Sequence, residues 1–130
     1  MTESLEQALV RDFPKFFRDF HGDPLSTCMA WGIEHGDGWE PSFRKLNELI
    51  KQYISLYPEG TIDFYWSQVK EKFGTPRWYY SGGDDIIDAL VSHYERLAST
   101  LCEQCGEWGS LKGKYWVYTA CDDHTKEKDR

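Results

Sequence analysis

Cys102, Cys105, Cys121 and His124 constrain this chain more than any other residues do. They read C-x2-C, a gap of fifteen residues, then C-x2-H. Three thiolates and one imidazole at that spacing suit a tetrahedral zinc ion. A fold that uses them as one site brings the two pairs together, and the loop and strand between them can fold back as a ribbon. Gly106, just after the first pair, lets that knuckle turn tightly. Four protein ligands leave no position for water or substrate, which marks the metal as structural rather than catalytic. The bland alternative is four unligated residues in a reducing compartment.

A chain of 130 residues is long enough for one real core. The expected organisation is an α+β core over residues 1–101 and a zinc ribbon with a charged tail over 102–130, docked on the core as a single domain. Aromatic residues reach 16%. A small core can use large side chains to gain buried area, or some can lie on a binding surface, where Tyr and Trp are enriched. The formal net charge of −7 disfavours non-specific attraction to nucleic acid and suits a basic groove on a partner. No apolar run approaches the roughly 20 residues that cross a bilayer. The opening MTESLEQALVRDFPKFF lacks the basic start and apolar run of a signal peptide, so the expected compartment is the cytoplasm. There, four Cys favour a metal over two disulfides.

Apolar spacing predicts a helix over residues 3–20, straight or bent at Pro14. A short buried strand or turn from Cys28 leads into a glycine-rich loop ending at Trp39, with Trp31, Trp39 and Cys28 assigned to the interior. Pro41 and Ser42 open a second helix, to about Tyr57. The period then shortens towards two. Residues 61–73 and 77–80 read as strands joined by a turn at Gly74-Thr75, with Pro76 at a strand start or an edge. Asp84 and Asp85 open a third helix that runs into Cys102. A strand over Tyr115–Thr119 precedes the second ligand pair, and the tail 125–130 is expected to fray. These elements predict helices packed on a small antiparallel sheet, with a zinc-ribbon module at the C-terminus.

Two other clusters carry candidate chemistry. Glu34, His35 and Asp37 lie between two indoles and could act as acid and base or hold a divalent ion, with Asp84 as a further candidate; the same loop also reads as a buried turn. Lys70, Lys72 and Arg77 interleave with Trp78 and Tyr80, a pattern that can stack bases and hold phosphates, or can form a half-buried sheet with a solvated outer face. The segment from Cys102 to His124 has Lys112 and Lys114 against four acidic residues, which is not the basic footprint of a sequence reader. No recognised catalytic motif is present.

Three blocks occur together here: WGIEHGDGW ending at Trp39, QVKEKFGTPRWYYSGGD from Gln68 to Asp84, and the terminal CEQCG with CDDH. In that order they resemble a family of small phage and prophage proteins. Members of that family commonly carry Cys where this chain has His35 and Leu where it has Pro76. The resemblance implies a phage-encoded accessory protein in the bacterial cytoplasm. Such proteins often bind host machinery, including CRISPR and other defence complexes, an association rather than a mechanism. The expected function is therefore non-enzymatic: binding a host protein or nucleoprotein complex and inhibiting it, with an acidic face standing in for phosphate charge. The alternatives are a nucleic-acid-binding regulator using the hairpin 69–80, and an enzyme using the loop 34–37.

Overall fold

Pro14 ends the first helix. In the computed structural model, which describes residues 1–130, α1 spans only Glu3–Asp12. The residue before a proline is driven out of the helical region, and Phe13 sits at φ −131°. Residues 14–21 continue as tight turns rather than as the expected helix to residue 20. The apolar stripe is still used, because Phe13, Phe16 and Phe17 reach the core from those turns.

α2 spans Glu40–Ile54, opens with Pro41 in its first turn and buries Phe43, Leu46 and Ile50. α3 spans Asp85–Ala98. Its N-terminus is fixed by Asp84, whose carboxylate accepts the backbone N–H groups of Ile86 (3.1 Å) and Ile87 (3.0 Å).

The central sheet has three strands: β1 Ile33–Glu34, β2 Phe64–Lys72 and β3 Thr75–Gly82, in that spatial order. β3 runs antiparallel to β2, but β1 pairs parallel to it through Ile33 with Val69 and Glu34 with Lys70. The sheet is thus mixed, not purely antiparallel as expected. A shift in register between Trp66 and Gln68 inserts an extra residue. Trp66 and Val69 are both buried as a result, which explains the imperfect alternation in the sequence.

The hairpin turns at Phe73 (φ 54°) and Gly74 (φ 81°), one residue earlier than expected. Two successive left-handed residues match the right-handed twist of the strands. A bulky residue rarely adopts that conformation, yet Phe73 holds it and is 70% exposed. Pro76 lies in β3 at the edge of the sheet, where its missing N–H breaks no ladder. On that same strand the Trp78 N–H donates to the Glu95 carboxylate of α3 at 2.8 Å, which blunts the edge.

Trp39, Trp66, Trp78 and Phe43 are buried at the centre. Each indole removes on the order of 200 Å² from water, a gross gain of about 5 kcal/mol before conformational entropy is charged. The Trp66 indole N–H donates to Asn47 Oδ1 at 2.8 Å, and Asn47 Nδ2 donates to the Phe43 carbonyl at 2.8 Å, so this buried amide is satisfied. The expected assignments of Trp31 and Cys28 to the interior do not hold: both are exposed, in the 3-10 turn before β1. No helix is long and apolar enough to cross a membrane.

Candidate metal centre

α3 delivers the chain to Cys102 through Leu101, and a small antiparallel sheet follows: β4 Ser110–Lys112 and β5 Tyr118–Ala120. β5 starts later than the expected strand 115–119. Tyr115 and Trp116 lie in the exposed connection instead. The first knuckle closes through the Gly106 N–H donating to the Cys102 carbonyl at 2.9 Å, with Gly106 at φ 82°. The second closes through Cys121, whose carbonyl accepts from the His124 N–H (3.2 Å) and from Thr125 Oγ1 (2.8 Å). The tail does not fray: Thr125 is buried and the Tyr118 hydroxyl donates to Asp129 at 2.5 Å.

The pairs converge. One ligand atom from each of Cys102, Cys105, Cys121 and His124 lies within 4.8 Å of all the others. Cys105 Sγ and Cys121 Sγ are 3.6 Å apart. His124 Nδ1 is 3.1 Å from Cys121 Sγ and 3.7 Å from Cys102 Sγ. Zinc–sulfur bonds of about 2.3 Å at tetrahedral angles place sulfurs about 3.8 Å apart, so the donor set fits such an ion in number, type and spacing. Burial raises the Cys102 thiol, but backbone N–H groups of Cys121, Cys105 and Gln104 outweigh it and lower that thiol to about 7. The Glu107 backbone favours the Cys105 thiolate, while desolvation and the neighbouring Cys121 and Cys102 thiols push it up to about 11.

This cluster is seated on the glycine-rich loop. The Gly38 N–H donates to the Glu103 carbonyl at 2.7 Å, and the Gly36 N–H to the Glu103 carboxylate at 2.9 Å. The Trp39 indole donates to the Leu101 carbonyl at 2.8 Å. A Cβ on Gly38 would lie 2.1 Å from the Cys102 carbonyl oxygen, and one on Gly36 would lie 2.4 Å from that of Glu103. The glycines of the loop exist because the knuckle backbone touches them. On its other side, the C-terminal segment meets the hairpin turn, where Thr119 Oγ1 donates to the Gly74 carbonyl at 2.7 Å.

The remaining candidates separate. His35 is buried; its Nε2 accepts from the Trp78 indole at 3.1 Å and its Nδ1 donates to the Gly36 carbonyl at 3.0 Å. Burial holds it neutral, lowering its pKa to about 4. Asp37 accepts the Thr2 N–H, Glu34 is exposed on β1, and Asp84 caps α3 while accepting from the Tyr53 hydroxyl at 2.6 Å. The loop 34–37 is therefore a structural seat, in which the imidazole has no free nitrogen.

The basic and aromatic residues of the hairpin fall on opposite faces. Trp78 is buried, and Tyr80 faces the helices, donating to Asp88 at 2.8 Å. Lys70 and Arg77 are cross-strand partners on the other face, beside exposed Tyr79. The expected set of Lys70, Lys72, Arg77, Trp78 and Tyr80 is thus not one surface. Sequence reasoning missed Tyr79, whose orientation depends on a strand phase that the bulge in β2 obscures. It also missed that Phe73, Trp108, Leu111, Tyr115 and Trp116 are each exposed, with Leu111 reaching the hairpin turn at Gly74. No family model, curated protein or solved structure matches the chain.

Proposed function

We propose that this chain is a non-enzymatic, phage-encoded accessory protein of the bacterial cytoplasm that binds a host nucleoprotein complex of the defence type and inhibits it. In this reading zinc fills the four-ligand cluster and makes residues 102–130 a zinc ribbon. The metal has no open position, so its role is to hold a contact surface in place.

The observation that carries the proposal is the apolar surface of the C-terminal segment. Trp108, Leu111, Tyr115 and Trp116 are all exposed there, and Tyr115 is 93% exposed. Leu111 reaches the hairpin turn beside exposed Phe73. Large aromatics left in water on a hairpin anchored by the ligand cluster have the composition of interface anchors. The hairpin keeps Phe73 at φ 54°, a costly conformation, in an exposed position. The net charge of −7 favours approach to a complex whose nucleic-acid groove is basic. Resemblance to the phage family supplies the biological setting.

The test is inhibition of a purified RNA-guided defence nuclease from the host. The expected result is stoichiometric inhibition with co-elution on gel filtration, both lost in Tyr115→Ala/Trp116→Ala while zinc content is unchanged. No inhibition of, and no complex with, any defence nuclease of the host refutes the proposal.

A further inference from the structure

We infer that the outer face of the central sheet is a second binding surface, for single-stranded nucleic acid, separate from the aromatic surface of the C-terminal segment. One face of this sheet is filled by Trp66, Val69 and Trp78 against the helices. The other carries Tyr65, Lys70 and Lys72 from β2 and Arg77 and Tyr79 from β3. Register fixes the arrangement: Lys70 stands opposite Arg77, Gln68 opposite Tyr79, and Lys72 opposite Thr75.

Three properties of this face point to a polyanion with exposed bases. Lys70, Lys72 and Arg77 make no ion pair, although Arg77 donates to Thr75 Oγ1 at 3.3 Å and the Lys72 ammonium lies 5.6 Å from the Phe73 ring centroid. In a chain of net charge −7, such a concentration of unpaired cations has a field opposite to the rest of the molecule. Flat π-surfaces lie among the charges. Tyr79 is about half exposed, and the Arg18 guanidinium lies 4.0 Å from the Tyr65 ring centroid, itself held by Asp63 at 2.5 Å. Length also suits the ligand: from Tyr65 to Lys72 the face extends about 23 Å at about 3.3 Å per residue, room for about four nucleotides. Glu34 stands across from Lys70 on β1, and Glu95 of α3 lies close enough to Arg77 to feel its charge, so carboxylates bound the row on both sides. Glu71 turns to the other face, where it accepts from the Gly74 N–H. A duplex is disfavoured, because a flat face with tyrosines reads bases that are free to stack.

This inference does not depend on the protein partner proposed above. The experiment is fluorescence anisotropy of a labelled oligothymidylate titrated with the full chain across a salt series. Binding is expected at low salt, with log K against log salt falling at a slope of about −2, as three phosphate contacts on a single strand require. Tyr79→Ala should weaken binding about tenfold and leave the slope unchanged, the signature of lost stacking. Lys70→Gln/Arg77→Gln should abolish it, and both variants should melt close to the wild type, because the replaced side chains are on the solvent side of the sheet and no new carboxylate is set beside Glu34. No binding at low salt overturns the inference. So does binding that ignores these substitutions, or equal binding to vesicles of anionic lipid with no effect of Tyr79→Ala.

Discussion

Gly38→Ala is the sharpest perturbation of the seat on which the Cys/His cluster rests. Gly38 is not one of the left-handed glycines, so alanine can adopt its backbone angles, and any cost must come from space. The added Cβ would sit 2.1 Å from the Cys102 carbonyl oxygen and 2.7 Å from the Glu103 carbonyl carbon. Both are backbone atoms and cannot rotate away. Relief requires the knuckle to retreat by about 1 Å, which breaks the bonds from Gly38 and Gly36 to Glu103 and from Trp39 to Leu101. At about 1 kcal/mol each, the loss is about 3 kcal/mol. In a chain of this size that lowers the melting temperature by roughly 10 °C. Metal binding is coupled to the same docked state, so zinc affinity should fall by up to about a hundredfold. Differential scanning calorimetry and competition against a chromophoric chelator read the two effects. Gly60→Ala is the control: Gly60 is at φ 84° with nothing near it, so only backbone strain of about 1 kcal/mol is expected and no change in zinc affinity. A Gly38→Ala protein that melts within about 2 °C of wild type and holds zinc equally would refute the docking account.

Three further outcomes follow from individual contacts. His35 has its pKa lowered from 6.5 to about 4 by burial, so the unfolded chain binds its proton first as pH falls; stability is full above pH 6.5 and declines down to pH 4. The loss amounts to about 3 kcal/mol and should be absent from the pH profile of His35→Gln, as chemical denaturation of the two proteins would measure. Asn47→Ala strands the buried Trp66 indole N–H and should cost about 3 kcal/mol in urea unfolding, whereas replacement of an exposed residue of α2 such as Gln52 should change little. Asp84→Ala removes the cap of α3 and should cost about 1–2 kcal/mol by the same assay, with Asp84→Asn recovering most of it.

What the sequence made legible was local. The C-x2-C and C-x2-H pairs predict the convergence of four ligand atoms that the structure shows, Asp84 marks a helix start, and the apolar stripe of α2 reads directly. What it hid was long-range. The glycines at 36 and 38 read as a tight loop needing special backbone angles, yet neither has a positive φ; their reason for being glycine, the backbone at Cys102 and Glu103, lies more than sixty residues away. The partner of β1 is likewise distant in sequence, and no period in two residues could announce a parallel pairing. A single bulge at β2 moved the phase of the hairpin and hid which tyrosine faces water. In the first helix, the stripe from Leu5 to Phe20 was real, but the steric demand of Pro14 on Phe13 turned its second half into turns that bury the same phenylalanines.

The central claim is that a metal, held by Cys102, Cys105, Cys121 and His124, closes the C-terminal segment onto the core. Elemental analysis of the protein purified without added metal or affinity tag tests it most directly, with Cys121→Ser beside it. The account predicts one zinc per chain in the wild type and a large loss in the variant, because one thiolate of the closed set is gone. A wild-type protein that is folded and carries no metal, or a Cys121→Ser protein that keeps it fully, would contradict the account.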